Sequence, residues 1–228
     1  RRPPHPALPS LGRKRLRPSA MMLDFHTHHL LATDALISVS PTDFAPMPGK
    51  CYAVGIHPWH TEGDVEAQMQ ALAETAQNEQ VKAIGETGLD SLRGAPLEVQ
   101  TRLFERHIAL AEALGKPLVI HCVRTSQQVL KAWSESRKSV AWAIHGFRGN
   151  ARVVAPLVKA GFYISFGERF NADALRAVPL DRLLAETDES TMPIGQIISQ
   201  LATALQMPSE RLESIVAANL ARALNFCD

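Results

Sequence analysis

Short apolar runs rich in β-branched residues alternate along most of the chain with longer segments of helical periodicity. Eight such runs predict strands, at residues 22–27, 35–39, 51–56, 81–85, 117–121, 140–144, 161–165 and 182–186. Helices are predicted at 64–79, 96–114, 125–135, 151–159, 172–178, 193–206 and 208–225. Near-continuously apolar strands joined by helices are typical of a parallel sheet. Eight of them favour an α/β fold of the closed (β/α)8, TIM type over a doubly wound sheet.

The first third of the chain departs from an ideal barrel. Few residues separate the first two strands, too few for the crossover helix that parallel strands usually need. The next connection, residues 40–50, reads SPTDFAPMPGK and contains three prolines. We therefore expect the first two covering helices of the barrel to be reduced to loops. The outer faces of the strands left exposed there are a candidate dimer surface, so we expect a monomer or a weak dimer.

The charge of the chain is unevenly distributed. Residues 1–20 hold six of the 24 basic residues, several prolines and no acidic residue. We expect this leader to be disordered, either as an arm that contacts nucleic acid or as an upstream translated segment. Residues 21–228 are predicted to form a single barrel domain. That part carries 18 basic and 23 acidic residues, which argues against broad non-specific binding of duplex DNA.

Cysteine usage and hydropathy indicate the cellular compartment. The three cysteines are widely spaced, without a disulfide framework or the CxxC spacing of a zinc ribbon. No apolar run approaches the roughly 20 residues of a membrane helix. We therefore expect a cytoplasmic protein that does not contact membranes.

Residues that bind metals recur where the predicted strands end. The first strand ends in DFHTH, in which Asp24, His26 and His28 alternate and should share one face of an extended strand. Active sites of barrels assemble at the carboxyl ends of the strands, so these exits should meet in one pocket. The pattern predicts a set of four histidines and two carboxylates there: His26, His28, Glu86, His121, His145 and Asp188.

This set is large enough for two metal ions. Four neutral imidazoles and two carboxylates contribute a charge of about −2 against +4 from two divalent cations, which suits a hydroxide and an anionic substrate such as a phosphodiester. In chain order, Glu86 lies at a strand end midway between the pair His26 and His28 and the pair His121 and His145. It is therefore the natural bridging ligand. Asp188, on the last strand, can both bind the first metal and accept the proton of the attacking water.

With these residues the chain resembles the TatD family of metal-dependent deoxyribonucleases, within the amidohydrolase-like barrels. The matching stretches are DFHTH, GIHP, IGETGLD, PLVIHCVR, IHGFRG, AETD and AANLARALNF. The resemblance implies one metal held by His26, His28, Glu86 and Asp188, and a second held by Glu86, His121 and His145. It also implies a 3′–5′ exonuclease that uses Mg²⁺ or Mn²⁺ on single-stranded DNA or frayed ends. Four imidazoles are compatible with Zn²⁺ as well.

Three further residues are candidates for substrate binding. Arg124 and Arg148 follow ligand histidines, and a guanidinium matches phosphate oxygens in a bidentate manner; a structural ion pair is the alternative. His57 either contacts a substrate phosphate or hydrogen-bonds within the GIHP turn. Relative to the family, Glu189 and Ser190 replace a small residue and proline, and Ser91 replaces an aromatic residue. These departures leave the expected metal ligands intact.

Two alternatives to a DNA phosphodiesterase stay open. The same metal site could hydrolyse a small amide, ester or phosphate. Related barrels commonly bridge their metals with a modified lysine from the fourth strand, whereas this chain offers Glu86 there, which favours the nuclease. A barrel that binds nucleic acid without turnover would be expected to lack a ligand, and none of the six is missing.

Overall fold

The computed structural model describes residues 22–61 and 64–225. Its strands are β1 Asp24–Thr27, β2 Ala35–Val39, β3 Cys51–Val54, β4 Val81–Asp90, β5 Leu118–Val123, β6 Trp142–Ile144, β7 Tyr163–Phe166 and β8 Leu183–Ala185. Its α-helices are α1 Val65–Thr75, α2 Leu97–Leu114, α3 Ser126–Glu135, α4 Ala151–Lys159, α5 Ala172–Ala177, α6 Ile194–Ala204 and α7 Ser209–Ala223, and a short 3₁₀ turn spans Leu180–Arg182. The leader predicted over residues 1–20 lies outside the described residues.

The eight strands form one parallel sheet in the order of the sequence, from β1 to β8. A backbone bridge between Thr27 and Asp188 joins its two edges. The predicted (β/α)8 barrel is therefore confirmed. No helix lies between β1 and β2 or between β2 and β3, so the first two covering helices are indeed reduced to loops.

The interior of the barrel is filled by one residue from each strand. This inner cluster consists of Phe25, Leu36, Ala53, Ala83, Val119, Ala143, Tyr163 and Leu184. Leu220, Ala223 and Leu224 of the last helix pack against it, together with residues at the amino ends of strands. Because this packing fills the amino-terminal end of the barrel, the carboxyl ends of the strands are left for polar groups.

A second apolar layer lies between the sheet and its helices. On the side of β2 and β3, where covering helices are missing, Ile37, Tyr52 and Val54 pack against Met69 and Leu72 of α1. Phe44, in the proline-rich loop, adds an edge-to-face contact to Tyr52 with ring centroids 5.2 Å apart. The loop and α1 thus replace the missing helices. None of the helices in the described ranges is long and apolar enough to cross a bilayer.

The helix α2 is tied to the barrel rim through a buried histidine. His107 is fully buried, and its Nδ1 donates to Leu103 O at 2.8 Å while its Nε2 accepts from the backbone N–H of Ile56 at 3.0 Å. Both bonds together require a neutral ring with the proton on Nδ1. Burial lowers the pKa of His107 from 6.5 to about 4. This residue fixes the chain immediately before His57.

This burial predicts a loss of stability in mild acid. The unfolded chain takes up a proton at His107 as the pH falls below 6.5, whereas the folded chain does so only near pH 4. Between pH 7 and pH 5, the unfolding free energy of the native protein should therefore fall by about 2 kcal/mol more than that of His107→Gln. Urea unfolding of both proteins at the two pH values measures this difference. Equal falls in the two proteins would contradict the prediction.

Candidate metal centre

Glu86 stands at the centre of the polar rim and is nearly fully buried, at 4% exposure. It lies within β4 and follows Gly85, where β4 runs so close to β5 that a Cβ would lie 2.3 Å from Val119 O. Only glycine fits this approach. The two carboxylate oxygens of Glu86 face two different groups of side chains.

The first group surrounds Glu86 Oε2. His26 Nε2 and His28 Nε2 lie 3.3 and 3.4 Å from this oxygen and 3.3 Å from each other. Asp188 Oδ1 lies 3.8 Å from His26 Nε2 and 3.7 Å from His28 Nε2. These four side chains are the ones that the family resemblance implies for the first metal. The group opens to solvent along His28 and Asp188, which are 40% and 28% exposed at their side chains.

The second group surrounds Glu86 Oε1. His121 Nδ1 lies 2.9 Å from this oxygen, His145 Nε2 lies 2.7 Å from it, and the two ring nitrogens are 3.4 Å apart. His57 Nε2 joins them at 2.9 Å. His57 was expected to contact substrate or the GIHP turn; its Nδ1 does accept the backbone N–H of Trp59 at 3.1 Å. Its other nitrogen faces the bridging carboxylate, which the spacing of GIHP alone did not indicate.

Asp188 is held by the closure of the barrel. Its backbone N–H donates to His26 O at 2.8 Å, and its carbonyl accepts from the N–H of His28 at 3.1 Å. Its φ of +54° lies in the left-handed region. The same backbone ladder therefore joins the last strand to the first and places Asp188 beside both histidines.

The strict alternation expected along β1 is not observed. Asp24 does not face Glu86; its carboxylate accepts the backbone N–H of Thr187 at 2.9 Å and the Thr187 hydroxyl at 2.6 Å. Thr27 also reaches Thr187, at 2.9 Å between the hydroxyls. The reason is an irregular register between Asp24 and Thr27 in the pairing with β2. Burial raises the pKa of Asp24 to about 6 in spite of these hydrogen bonds.

Two further carboxylates hold the histidines of the second group. Asp90 Oδ2 lies 3.1 Å from His121 Nε2, and Glu186 Oε1 lies 3.3 Å from His145 Nδ1. Carboxylates that accept the outer N–H of a ligand histidine fix its orientation and raise its basicity. Sequence analysis singled out neither contact, although both residues stand in the motifs GETGLD and AETD.

The charges of the centre are strongly coupled. Burial by itself raises the pKa of Glu86, but the charge of His145 and hydrogen bonds from His121, His145 and His26 hold it well below its usual range. Burial by itself lowers the pKa of His145, but the charge of Glu86 outweighs burial and, together with Glu186, raises this pKa well above its usual value. Burial and the charge of His145 lower the pKa of His26. The ionised carboxylate thus holds positive charge among closely packed imidazoles.

The donor set fits divalent cations. Around a tetrahedral ion with metal–nitrogen distances of about 2.05 Å, neighbouring donors lie roughly 3.3 Å apart. The contacts of the first group, 3.3 to 3.8 Å, are near this spacing and are long for direct hydrogen bonds. The described residues hold further groups of three ligand atoms that could bind an ion, all at this rim. His26 Nδ1 is buried without a hydrogen-bond partner.

The two arginines that were candidates for substrate binding lie outside this cluster. Arg124, directly after β5, and Arg148, after β6, are both exposed. In the described part of the chain neither makes an ion pair, so the structural alternative weighed for them is not observed. Arg148 lines a groove of about 340 Å³ that also contains Asp188 and Glu189.

The sequence of the chain matches the model of one protein family, TatD related DNase, over residues 43–225. The chain belongs to this family. The TatD resemblance and the expected class of metal-dependent hydrolase are thereby confirmed. A structure of YJJV, a TatD homologue from Escherichia coli K12, superposes with a TM-score of 0.75 at 21% identity and covers 84% of this chain and 86% of that one.

Relatives with similar sequences carry hydrolase or nuclease names. The uncharacterized metal-dependent hydrolase YabD of Bacillus subtilis is 29% identical over 192 residues, which are 75% of each chain. The 3′-5′ ssDNA/RNA exonuclease TatD of Musicola paradisiaca is 35% identical over 155 residues, covering 62% of this chain and 58% of the relative. The human 3′-5′ RNA nuclease TATDN2 is 34% identical over 151 residues, which are only 19% of its length.

The closure contacts of Thr187 predict a stability effect without any metal. Thr187→Val removes the hydroxyl that donates to the buried Asp24 carboxylate. Leaving a buried acceptor with fewer partners should lower the unfolding free energy by about 1–3 kcal/mol. Urea unfolding in the presence of EDTA measures this loss. In the control, Thr203→Val, the exposed hydroxyl that donates to Ser199 O is removed, and the change should stay below about 0.5 kcal/mol.

Proposed function

We propose that this chain is a metal-dependent phosphodiesterase that shortens DNA from the 3′ end, acting on single strands or frayed ends. The observation that carries this proposal is the division of the Glu86 carboxylate between two groups of imidazoles. Two cation positions linked by one carboxylate suit in-line displacement at phosphorus. Family membership and the names of the exonuclease and nuclease relatives support nucleic acid as the substrate.

The proposed cofactor is a pair of divalent cations. His26, His28, Glu86 and Asp188 would hold the first ion, and Glu86, His121 and His145 would hold the second. His57, whose Nε2 lies 2.9 Å from Glu86 Oε1, completes the second group. Bound Mg²⁺ or Mn²⁺, with Zn²⁺ as a third candidate, would lower the pKa of a water molecule and stabilise charge on the phosphate oxygens.

The residues of the chain then have separate roles. Asp188, partly exposed at the open side of the centre, accepts the proton of the attacking water. Glu86 is buried and has imidazole nitrogens around both of its carboxylate oxygens, so it keeps the two groups of ligands at a fixed separation. Asp90 and Glu186 hold the rings of His121 and His145 in place.

Arg148 and Arg124 are proposed to bind the substrate backbone. Arg148 lies in the groove beside Asp188, where it can contact a phosphate oxygen of a strand that enters the open side. Arg124 stands at the exit of β5, three residues after His121. Both guanidinium groups are exposed and lack carboxylate partners in the described ranges, so they are available for phosphate.

A second candidate function is the hydrolysis of a small amide, ester or phosphate at the same site. The acidic residues Glu168 and Glu189 in the groove beside Asp188 favour it, because they repel a long polyanion. A non-catalytic nucleic-acid binder is disfavoured, since all six ligands are present and converge. A cytoplasmic location is part of the proposal, supported by the two described cysteines, which are both free. A monomeric or weakly dimeric state is proposed as well.

Removal and restoration of metals separates the two functions. The protein should lose hydrolytic activity when its metals are chelated, and Mg²⁺ or Mn²⁺ should restore cleavage of a 3′-labelled single-stranded oligonucleotide. A panel of small phosphoesters, esters and amides is assayed alongside with the same ions and with Zn²⁺. Turnover of a small compound without cleavage of DNA under any ion would replace the nuclease by the second candidate.

The role of Asp188 is tested by one substitution and its neighbour. Asp188→Asn should lower turnover by about 10³-fold, because it removes both a ligand and the proton acceptor. Glu189→Gln changes the adjacent exposed carboxylate in the same way and should keep turnover within a few-fold of the native value. Steady-state cleavage rates with Mn²⁺ give the comparison, and urea unfolding in EDTA checks that both variants fold. Near-native turnover of Asp188→Asn would contradict the assignment.

A further inference from the structure

An indole lies immediately beside the second group of ligands. Trp59 is 36% exposed, yet the side chain is fixed. Its Nε1–H donates to Asp90 Oδ2 at 2.7 Å, and its ring meets the ring of His57 edge to face, with centroids 4.7 Å apart. Asp90 also contacts His121. A tryptophan held at its nitrogen, while part of its ring remains in solvent, is ordered before any ligand arrives.

The loop that follows β4 is built against this indole. The buried side chain of Gln100 accepts the N–H of Asp90 and donates to the carbonyls of Asp90, Arg93 and Ala95, at 2.7 to 3.0 Å. Gly94, with a φ of +86°, lies so close to the GIHP turn that a Cβ would be 2.2 Å from Pro58 O. The loop and the turn that carries Trp59 are therefore packed as one unit.

The guanidinium of Arg93 lies over the partly exposed indole of Trp59. Its guanidinium carbon lies 4.0 Å from the centroid of the Trp59 ring. Within the described ranges Arg93 makes no ion pair with a carboxylate, although the body of the protein is acidic. Leu92, 59% exposed, stands beside it in the loop. This guanidinium over the indole, next to an apolar side chain, combines positive charge with planar groups at the rim.

We propose that Trp59 and Arg93 form a binding site for one unpaired nucleobase of the substrate, adjacent to the phosphodiester that is cleaved. This inference rests on the proposed function and names the part of the substrate that the site recognises. Bases stack on indole rings and on guanidinium planes. A base on this surface lies next to His57 and His121, so its own phosphate reaches the cation positions. A paired base is already stacked within its duplex, which gives a preference for single strands and frayed ends.

The test removes stacking from the protein and from the substrate separately. In an oligonucleotide of thymidines, 5,6-dihydrothymidine replaces either nucleotide that flanks the terminal phosphodiester. The saturated base keeps its hydrogen-bonding edge but loses planarity. With native protein, one of the two replacements should lower kcat/KM about tenfold. Trp59→Ala should lower kcat/KM for the unmodified oligonucleotide by a similar factor, mainly through KM, and should show no further loss with the modified one.

Two variants distinguish base binding from a structural role. Trp59→Phe keeps an aromatic face but loses the hydrogen bond to Asp90, so most of the discrimination against dihydrothymidine should be retained. If Trp59→Phe and Trp59→Ala lower kcat equally on both substrates, Trp59 only positions Asp90 and His121, and the proposal is overturned. Arg93→Ala should lose part of the discrimination. Its matched control is Lys138→Ala, which removes a cation 4.6 Å from the Trp133 ring, remote from the rim.

A binding measurement separates this inference from the proposed function. Fluorescence of 2-aminopurine at the flanking position should be quenched when the oligonucleotide binds the native protein in Ca²⁺, because the base stacks. The quenching should be lost in Trp59→Ala and kept in Lys138→Ala. Quenching without cleavage under any ion would reject the nuclease and retain the base site. Equal quenching in the native protein and Trp59→Ala would reject the base site, whatever the activity.

Discussion

The backbone pairing of Asp188 with β1 is the constraint on which the centre depends. Hydrogen bonds from Asp188 N to His26 O and from His28 N to Asp188 O close the barrel. The same two bonds bring a carboxylate of the last strand to two histidines of the first. The buried Asp24 carboxylate secures this junction by accepting both donors of Thr187. The hydrogen bonds that close the barrel therefore also place Asp188 beside His26 and His28.

The remaining side chains of the centre are arranged around the charge of Glu86. A buried carboxylate is stable only with hydrogen-bonded or charged partners, and here imidazoles from β1, β5 and β6 and from the GIHP turn supply them. Two of these imidazoles are in turn held at their other ring nitrogen, His121 by Asp90 and His145 by Glu186.

Strand exits were more informative than strand interiors for this protein. Apolar runs predicted all eight strands, and the polar residues near their carboxyl ends predicted which side chains meet, because parallel strands place their carboxyl ends on one rim. The prediction was less accurate inside β1, where an irregular register sends Asp24 and Thr27 to the same neighbour. A register change depends on the partner strand, so it leaves no mark in the local pattern.

The sequence by itself determined the order of elements, the loss of two covering helices and the identity of six side chains that converge at the rim. These features follow from hydrophobic periodicity, from proline in residues 40–50 and from ligand-type residues at strand ends, all of which are local. Only the tertiary structure decided that His57 joins the second group, that Asp90 and Glu186 support the histidines, and that Arg93 stacks on Trp59. These contacts join side chains that are distant along the chain, and their geometry depends on how loops pack after the barrel has closed.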